Sequence, residues 1–326
     1  MAYEPAPGTQ SAVLSDRGRR RSNQDAVLAA ALRDGGELIA VADGMGGYAG
    51  GEVASRRALE ELRVQLDAGA GLVDAVRAAN RAVYSEGNGE DPQEGMGTTL
   101  VALLRRGREY YIANVGDSRA YRVDRTGVRQ ITVDHSFVAE AVRSGLLSSE
   151  EAEKSRWRNA VTRAIGTDPE LEEVDCFGPF DATEAHAVVL CTDGLYRVLD
   201  EASLADVATS EVPVAEAVAG LVTAAYDEGS EDNISIGLIR FVARENPAPG
   251  AVPAAAQPLA AAGAQPVAGA QPLAAATAPA RPRDDDPGRR RRPRHRHGRW
   301  TPVELAVVIL GILAVMVYMV MLAVAF

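Results

Sequence analysis

Four aspartates stand where a short apolar run meets glycine or polar residues. Asp43 ends Leu-Ile-Ala-Val-Ala (38–42) and is followed by Gly44, Met45, Gly46 and Gly47. Asp193 comes just after the apolar run 187–191 and precedes Gly194. Asp232 lies in Glu-Asp-Asn (231–233) before the last such run, and Asp25 closes Ser-Asn-Gln-Asp (22–25) before an early one. An acid at the end of a buried strand is held rigidly at the rim of the core yet stays open to water. Glycine beside it lets a ligand approach the main chain. One Asp-Gly alone is more often a turn than a ligand site; recurrence of the pattern argues for a shared task.

Carboxylates gathered in one cleft repel, and their pKa values rise unless a cation neutralises them. Acid-only ligands with main-chain carbonyls select hard cations, Mg²⁺ or Mn²⁺, over zinc. A pair of such ions activates water and clamps a phosphoryl group. The expected chemistry is hydrolysis by a metal-activated water, without a covalent enzyme intermediate.

The elements that must position these acids are readable from periodicity. Residues 12–16, 26–32 and 37–43 read as strands around the polar, basic stretch 17–25. Ala54, Ala58, Leu62 and Leu66 repeat at i, i+4, and Leu72, Val76, Ala79 and Val83 continue the pattern, predicting two amphipathic helices. Strands return at 99–104, 109–115 and 119–123. Residues 136–158 are charged and irregular, with short helical stretches, and read as a flap. A strand at 187–191, a helix at 214–226 and a last strand at 234–242 complete the set. This order predicts an α+β sandwich with helices outside, not a regular βαβ alternation.

Composition divides the chain. Residues 281–299 hold nine Arg against three Asp, so the first 246 residues carry a formal −16 within a total of −11. A part so acidic excludes a nucleic-acid partner for it. Residues 246–280, dominated by Ala, Pro, Gln and Gly, read as an extended spacer. Residues 305–326 contain no charge, and a helix over 303–326 is long enough to span a membrane. The basic segment 281–300 before it sets the orientation by the positive-inside rule. The expectation is a single-pass cell-membrane protein with its catalytic domain (9–245) in the cytoplasm. Cys176 and Cys191 are too few for a disulfide framework and suit a reducing compartment. Met1 to Gln10 has no basic start or apolar core, so no signal peptide is expected.

Seven stretches in order give a resemblance. They are S-D-R-G-R-R-R-S-N-Q-D (15–25), A-D-G-M-G-G (42–47), G-G-E-V-A-S (50–55), G-M-G-T-T-L (95–100), N-V-G-D-S-R-A-Y (114–121), C-T-D-G-L (191–195) and E-D-N-I-S (231–235). From about residue 11 to 242 the chain resembles the metal-dependent serine/threonine protein phosphatases of the type 2C family, in their bacterial, membrane-anchored form. The resemblance implies a four-layer α-β-β-α sandwich of two antiparallel sheets and a dinuclear Mn²⁺ or Mg²⁺ centre. It implies that Asp43 bridges both ions, Gly44 offers its carbonyl to one, and Asp193 and Asp232 complete the other's shell. Asp25 would hold coordinated waters, and Asp117 would join Asp193 at a third, weaker ion. Implied partners are phosphorylated proteins, including membrane Ser/Thr kinases, met by a monomeric catalytic domain.

The phosphate-binding Arg of that family falls in the first motif, which is one residue short here. Counting back from Asp25 selects Arg20; counting forward from Gly18 selects Arg21. Arg20 is preferred, because the distance to the metal-site acid matters more than the distance to a turn. Met45 stands where some members have His, so protonation of the leaving group falls to water, with His135 a further candidate. Two rival readings remain. Cys191-Thr-Asp-Gly-Leu-Tyr-Arg197 has the spacing of a cysteine-dependent phosphatase loop, in which a thiolate attacks phosphorus. A membrane-tethered phosphoprotein-binding module without catalysis is the other.

Overall fold

The computed structural model describes residues 5–6, 8–46, 50–88, 96–171 and 173–242. In chain order these form β1 (Thr9–Asp16), β2 (Asp25–Ala31), β3 (Glu37–Met45), α1 (Gly50–Asp67), α2 (Leu72–Gly87), β4 (Gly97–Thr98), β5 (Leu100–Arg106), β6 (Glu109–Val115), β7 (Arg119–Asp124), β8 (Gly127–Gln130), α3 (Phe137–Arg143), α4 (Ser149–Lys154), β9 (Asp175–Asp181), β10 (His186–Cys191), α5 (Asp193–Tyr196), α6 (Glu201–Thr209), α7 (Val214–Asp227) and β11 (Ile234–Phe241). One antiparallel sheet runs β1-β11-β10-β7-β8 and the other β2-β3-β5-β6-β9, with β4 paired to β3.

Period-two alternation sorts the side chains into layers. In β3, Leu38, Ala40 and Ala42 pack toward α1 and α2, while Ile39 and Val41 face the opposing sheet. β5 repeats this: Leu100, Ala102 and Leu104 lie on the helix side, Val101 and Leu103 on the inner side. In β10, Val189 and Cys191 turn outward to α6 and α7, and Val188 and Leu190 inward. Both sheets are therefore buried on two faces, which is why their strands read as continuous apolar runs. The result is the expected four layers.

α1 shows why the helices sit outside. Ala54, Ala58, Leu62 and Leu66 bury one stripe, and Glu52–Arg56, Arg57–Glu61 and Arg63–Asp67 pair at i, i+4 on the other side. Each exposed pair is worth only about 0.3–0.5 kcal/mol, so packing, not charge, holds the helix down.

Strands β4, β8 and β9 and helices α5 and α6 were not expected from sequence. β9 is an edge strand of Asp-Cys-Phe-Gly-Pro-Phe-Asp whose apolar periodicity is broken by Gly178-Pro179. β8 is four residues of a hairpin, and α6 has only Leu204 and Ala208 buried. The flap holds two short helices, α3 and α4, each opened by a serine cap, Ser136 and Ser148. Among the described residues no helix is long and apolar enough to cross a membrane. The linker 246–280, the basic segment 281–300 and the apolar segment 303–326 lie outside the described residues.

Candidate active site

Antiparallel pairing of β2 with β3 sets Asp25 directly opposite Asp43. Both continue the inward side of their strands, after Val27 and Ala29 in one and Ile39 and Val41 in the other. β10 pairs with β11 so that Cys191 faces Ile236, which brings Asp193 and Asp232 together just past that ladder. Thr192 joins the two pairs. Its Oγ1 donates to Asp25 Oδ2 at 3.0 Å and accepts the Ser235 N–H at 3.1 Å, so one hydroxyl couples the two sheets at this rim.

The main chain at Asp43 is fixed from three sides. Its N–H donates to Thr99 Oγ1 at 2.9 Å, and its carbonyl accepts from Thr98 Oγ1 and the Thr99 N–H at 2.8 Å each. Gly44 is where β3, the start of α1 and the loop before β2 converge. A Cβ there would lie 2.0 Å from Gly51 O and 2.4 Å from Gln24 O, so no other residue fits without moving backbone.

Asp117 comes from the β6–β7 turn. The Gly116 N–H donates to His135 Nδ1 at 3.1 Å, and His135 Nε2 is 3.2 Å from Asp175 Oδ2. An imidazole that accepts at Nδ1 carries its proton on Nε2, facing the carboxylate. His135 is buried with both nitrogens engaged, so it braces the turn that carries Asp117 and is not free to serve as a general acid.

The five acids share one space, and their charges feel one another. Burial, then Asp25, Asp193, Asp117 and Asp232, push the Asp43 carboxyl well above the usual carboxylate range. Burial also lifts Asp25 to about 7, with Asp193 and Asp232 adding and the Ser235 and Thr192 hydroxyls opposing. Asp117 rises to about 7 through burial, Asp193 and Asp134, against the pull of Arg197. Burial raises Asp193 as well, opposed by Arg197. Among the described residues no three His, Cys, Asp or Glu side chains close on a point as a finished ion cage; the acids line a common space. The donor set is carboxylate and main-chain oxygen, without thiolate or imidazole, and it suits a hard divalent cation.

The loop 17–24 closes one side of this space. Arg20 Nη2 lies 2.6 Å from Asp232 Oδ2, with 55% of the Arg20 side chain exposed. Of the two candidate arginines it is Arg20 that pairs with a site acid. Asn233 holds the loop: its Nδ2 donates to the carbonyls of Arg17 at 2.7 Å and Ser22 at 3.0 Å, and its Oδ1 accepts the Gln24 N–H at 2.9 Å. Gly194 packs so tightly on this segment that a Cβ would sit 2.0 Å from Asn233 O.

The sequence profile of Protein phosphatase 2C matches residues 15–231. The chain belongs to the protein phosphatase 2C family. It is 35% identical over 237 residues to the serine/threonine phosphatase stp of Listeria welshimeri, covering 69% of this chain and 93% of that protein. It is 37% identical over 233 residues to the serine/threonine protein phosphatase PstP of Mycobacterium tuberculosis, covering 69% of this chain and 43% of that one. The crystal structure of the Mycobacterium tuberculosis phosphatase PstP/Ppp superposes with a TM-score of 0.63 at 33% identity, over 72% of this chain and 99% of that chain. A structure of the PstP catalytic domain in complex with two manganese ions gives 0.62 at 33% identity, over 72% and 98%. As a member of this family the chain is a protein-serine/threonine phosphatase.

Within a protein phosphatase 2C the cysteine reading fails. Cys191 is fully buried on the helix side of β10, and burial pushes its thiol up to about 12. Arg197, which would have to hold phosphate in such a loop, is paired with Asp193 at 3.0 Å. Sequence reasoning gave no role to Thr192 or Asn233, and gave Arg197 one only in the rival cysteine loop. Thr192 and Asn233 sat inside quoted motifs beside the acids, and Arg197 stands four residues after Asp193, the spacing of an ion pair on one helical turn.

Proposed function

We propose that the chain hydrolyses phosphoserine and phosphothreonine esters on proteins at a dinuclear Mn²⁺ or Mg²⁺ centre. Asp43, the Gly44 carbonyl, Asp193 and Asp232 would hold the two ions. The observation that carries this is the pairing of buried Asp25 against half-buried Asp43, with Asp193, Asp117 and Asp232 near enough to raise the Asp43 pKa further. Such a cluster calls for cations, and a relative, PstP, has been seen with two manganese ions. Ions of this kind supply an activated water and balance the charge of the phosphoryl group.

The remaining work falls to the chain itself. Arg20, exposed at the end of a loop pinned by Asn233, offers a planar pair of N–H donors to phosphoryl oxygens. Asp25, held by Thr192, orients water from the strand facing Asp43. Thr98 and Thr99 fix the main chain at Asp43 and so set where its carboxylate points. With Met45 in β3 and His135 engaged, no imidazole among the described residues serves the leaving group, and solvent water protonates it.

We also infer that 303–326 anchors the enzyme in the cell membrane with the phosphatase domain on the cytoplasmic side, where membrane Ser/Thr kinases and their phosphorylated targets are its substrates. Support comes from the uncharged run 305–326 and the basic residues before it. The decisive assay is phosphate release from a phosphothreonine peptide. Release with Mn²⁺, abolished by a chelator and restored by added metal, is expected. No release under any metal condition would instead favour a phosphoprotein-binding module.

A further inference from the structure

Arg197 closes the single turn α5, four residues beyond Asp193. Its Nη2 lies 3.0 Å from Asp193 Oδ2 and 3.8 Å from Asp117 Oδ2. The same guanidinium donates from Nη1 to Asn159 Oδ1 and from Nη2 to the Arg158 carbonyl at 3.3 Å. One side chain thus joins two site acids, one in the β6–β7 turn and one just after β10, to the segment that follows α4.

That segment is tied elsewhere mainly at its far end. The Phe137 N–H donates to the Ala160 carbonyl at 2.9 Å, and the Thr162 N–H to the His135 carbonyl at 2.8 Å. Between α4 and Ala160 it carries Trp157, half exposed and 6.3 Å from the exposed ring of Phe137. Arg197 is the link from residues 158–159 to the acids.

We propose that Arg197 is a positioning residue whose guanidinium occupies the place of a cation between Asp117 and Asp193 and straps residues 158–159 against the site. This rests on the metal-centre reading above. A guanidinium keeps its charge at every working pH, so it neutralises these two acids permanently. A third divalent ion between Asp117 and Asp193 has to displace it, and displacing it lets go of Asn159 and Arg158. Ion entry and release of the flap segment are one event, and by linkage each favours the other by the same factor. The segment at 158–159 therefore reports on the charge state of the centre through one side chain.

The test counts bound Mn²⁺ by equilibrium dialysis of the full chain and follows amide exchange of residues 156–161. Wild type should bind two ions tightly and a third only at Mn²⁺ concentrations that also speed exchange at 156–161. Arg197→Gln should bind the third ion at least tenfold more tightly and exchange quickly at 156–161 without added metal. Arg197→Lys keeps a charge beside Asp193 without the fork, so it should free the segment while leaving the third ion weak. Asn159→Ala breaks the strap from the other end and should speed exchange with a smaller change in ion affinity. A third-ion affinity in Arg197→Gln within twofold of wild type, or unchanged exchange at 156–161, overturns the proposal. A wild-type chain that binds no Mn²⁺ at all would instead overturn the metal-centre reading, and the exchange of Arg197→Gln would still decide the strap.

Discussion

Asp25 and Asp43 are cross-strand partners, set opposite each other by the β2–β3 ladder and turned toward the same interior. Like charges directly opposite on neighbouring strands are destabilising, the more so when buried. The fold keeps this repulsion because the centre needs it.

Asp43→Asn should therefore separate stability from activity. Measured in chelator by calorimetry, the variant should melt roughly 4–8 °C above wild type, about 2 kcal/mol for a domain of this size. Its phosphatase rate with Mn²⁺ should fall by about three orders of magnitude. A variant that melts below wild type would mean that the Asp43 carboxylate is net stabilising.

Replacing Cys191 with Ala tests the route of hydrolysis. The side chain is buried among α6 and α7, so the change should cost about 1 kcal/mol of stability and leave kcat nearly intact. Asp193→Ala should remove activity. The opposite pattern would restore a thiolate mechanism.

Asn233→Ala removes three hydrogen bonds to the loop carrying Arg20. Roughly 2–4 kcal/mol of stability should go with them. Because the loop positions a phosphate-binding group, KM for a phosphopeptide should rise about tenfold, with a smaller fall in kcat. An unchanged KM would detach Arg20 from substrate binding.

His186 gives a pH signature far from the site. It is buried between Tyr110 and Phe241, bonds Tyr110 Oη at 3.0 Å and the Glu184 carbonyl at 2.9 Å, and has Arg122 and Asp124 nearby. Burial first, then Arg122, lower its pKa below the ordinary value. The unfolded chain therefore binds the proton more readily. The stability contributed by neutral His186 is complete above about pH 6.5 and is lost as pH falls through its folded pKa. Denaturant melts should show wild type losing stability in that window with a slope of up to about 1.4 kcal/mol per pH unit beyond that of His186→Phe. Equal slopes would contradict this.

The proposed spacer, about 35 residues long, would have a mean reach of only some 30–35 Å as a flexible chain. A chain ending at 246 should keep full activity on a soluble phosphopeptide and lose its preference for a phosphorylated kinase embedded in vesicles. Equal rates of the two chains on the vesicle substrate would argue against a membrane role for the tail.

The acids were legible because a charged residue at the end of an apolar run has few structural reasons to be there. Asp43 and Asp193 announced themselves in this way, and period-two burial gave β3, β5 and β10 their layers. Asn233 was not legible: an Asn beside an Asp before a strand looks like any turn, and its three bonds reach residues more than two hundred positions away in the chain. Arg197 entered only through the rival cysteine reading. Its spacing from Cys191 suggested a phosphate cradle, whereas the fold turns Cys191 into the core and leaves Arg197 to the acids. β9 escaped because an edge strand needs only a partner, β6, and little apolar periodicity of its own.

β11 lies between β1 and β10 in its sheet, and its approach carries Asp232, Asn233 and Ser235 to the site. It is also the last strand of the phosphatase domain to leave the ribosome. Until it inserts, β1 and β10 have no common neighbour, the Arg20 loop lacks its anchor, and Thr192 lacks the Ser235 N–H. A nascent chain therefore cannot strip phosphate from anything it meets, and activity appears only when the last strand slots into the middle of a sheet begun by the first.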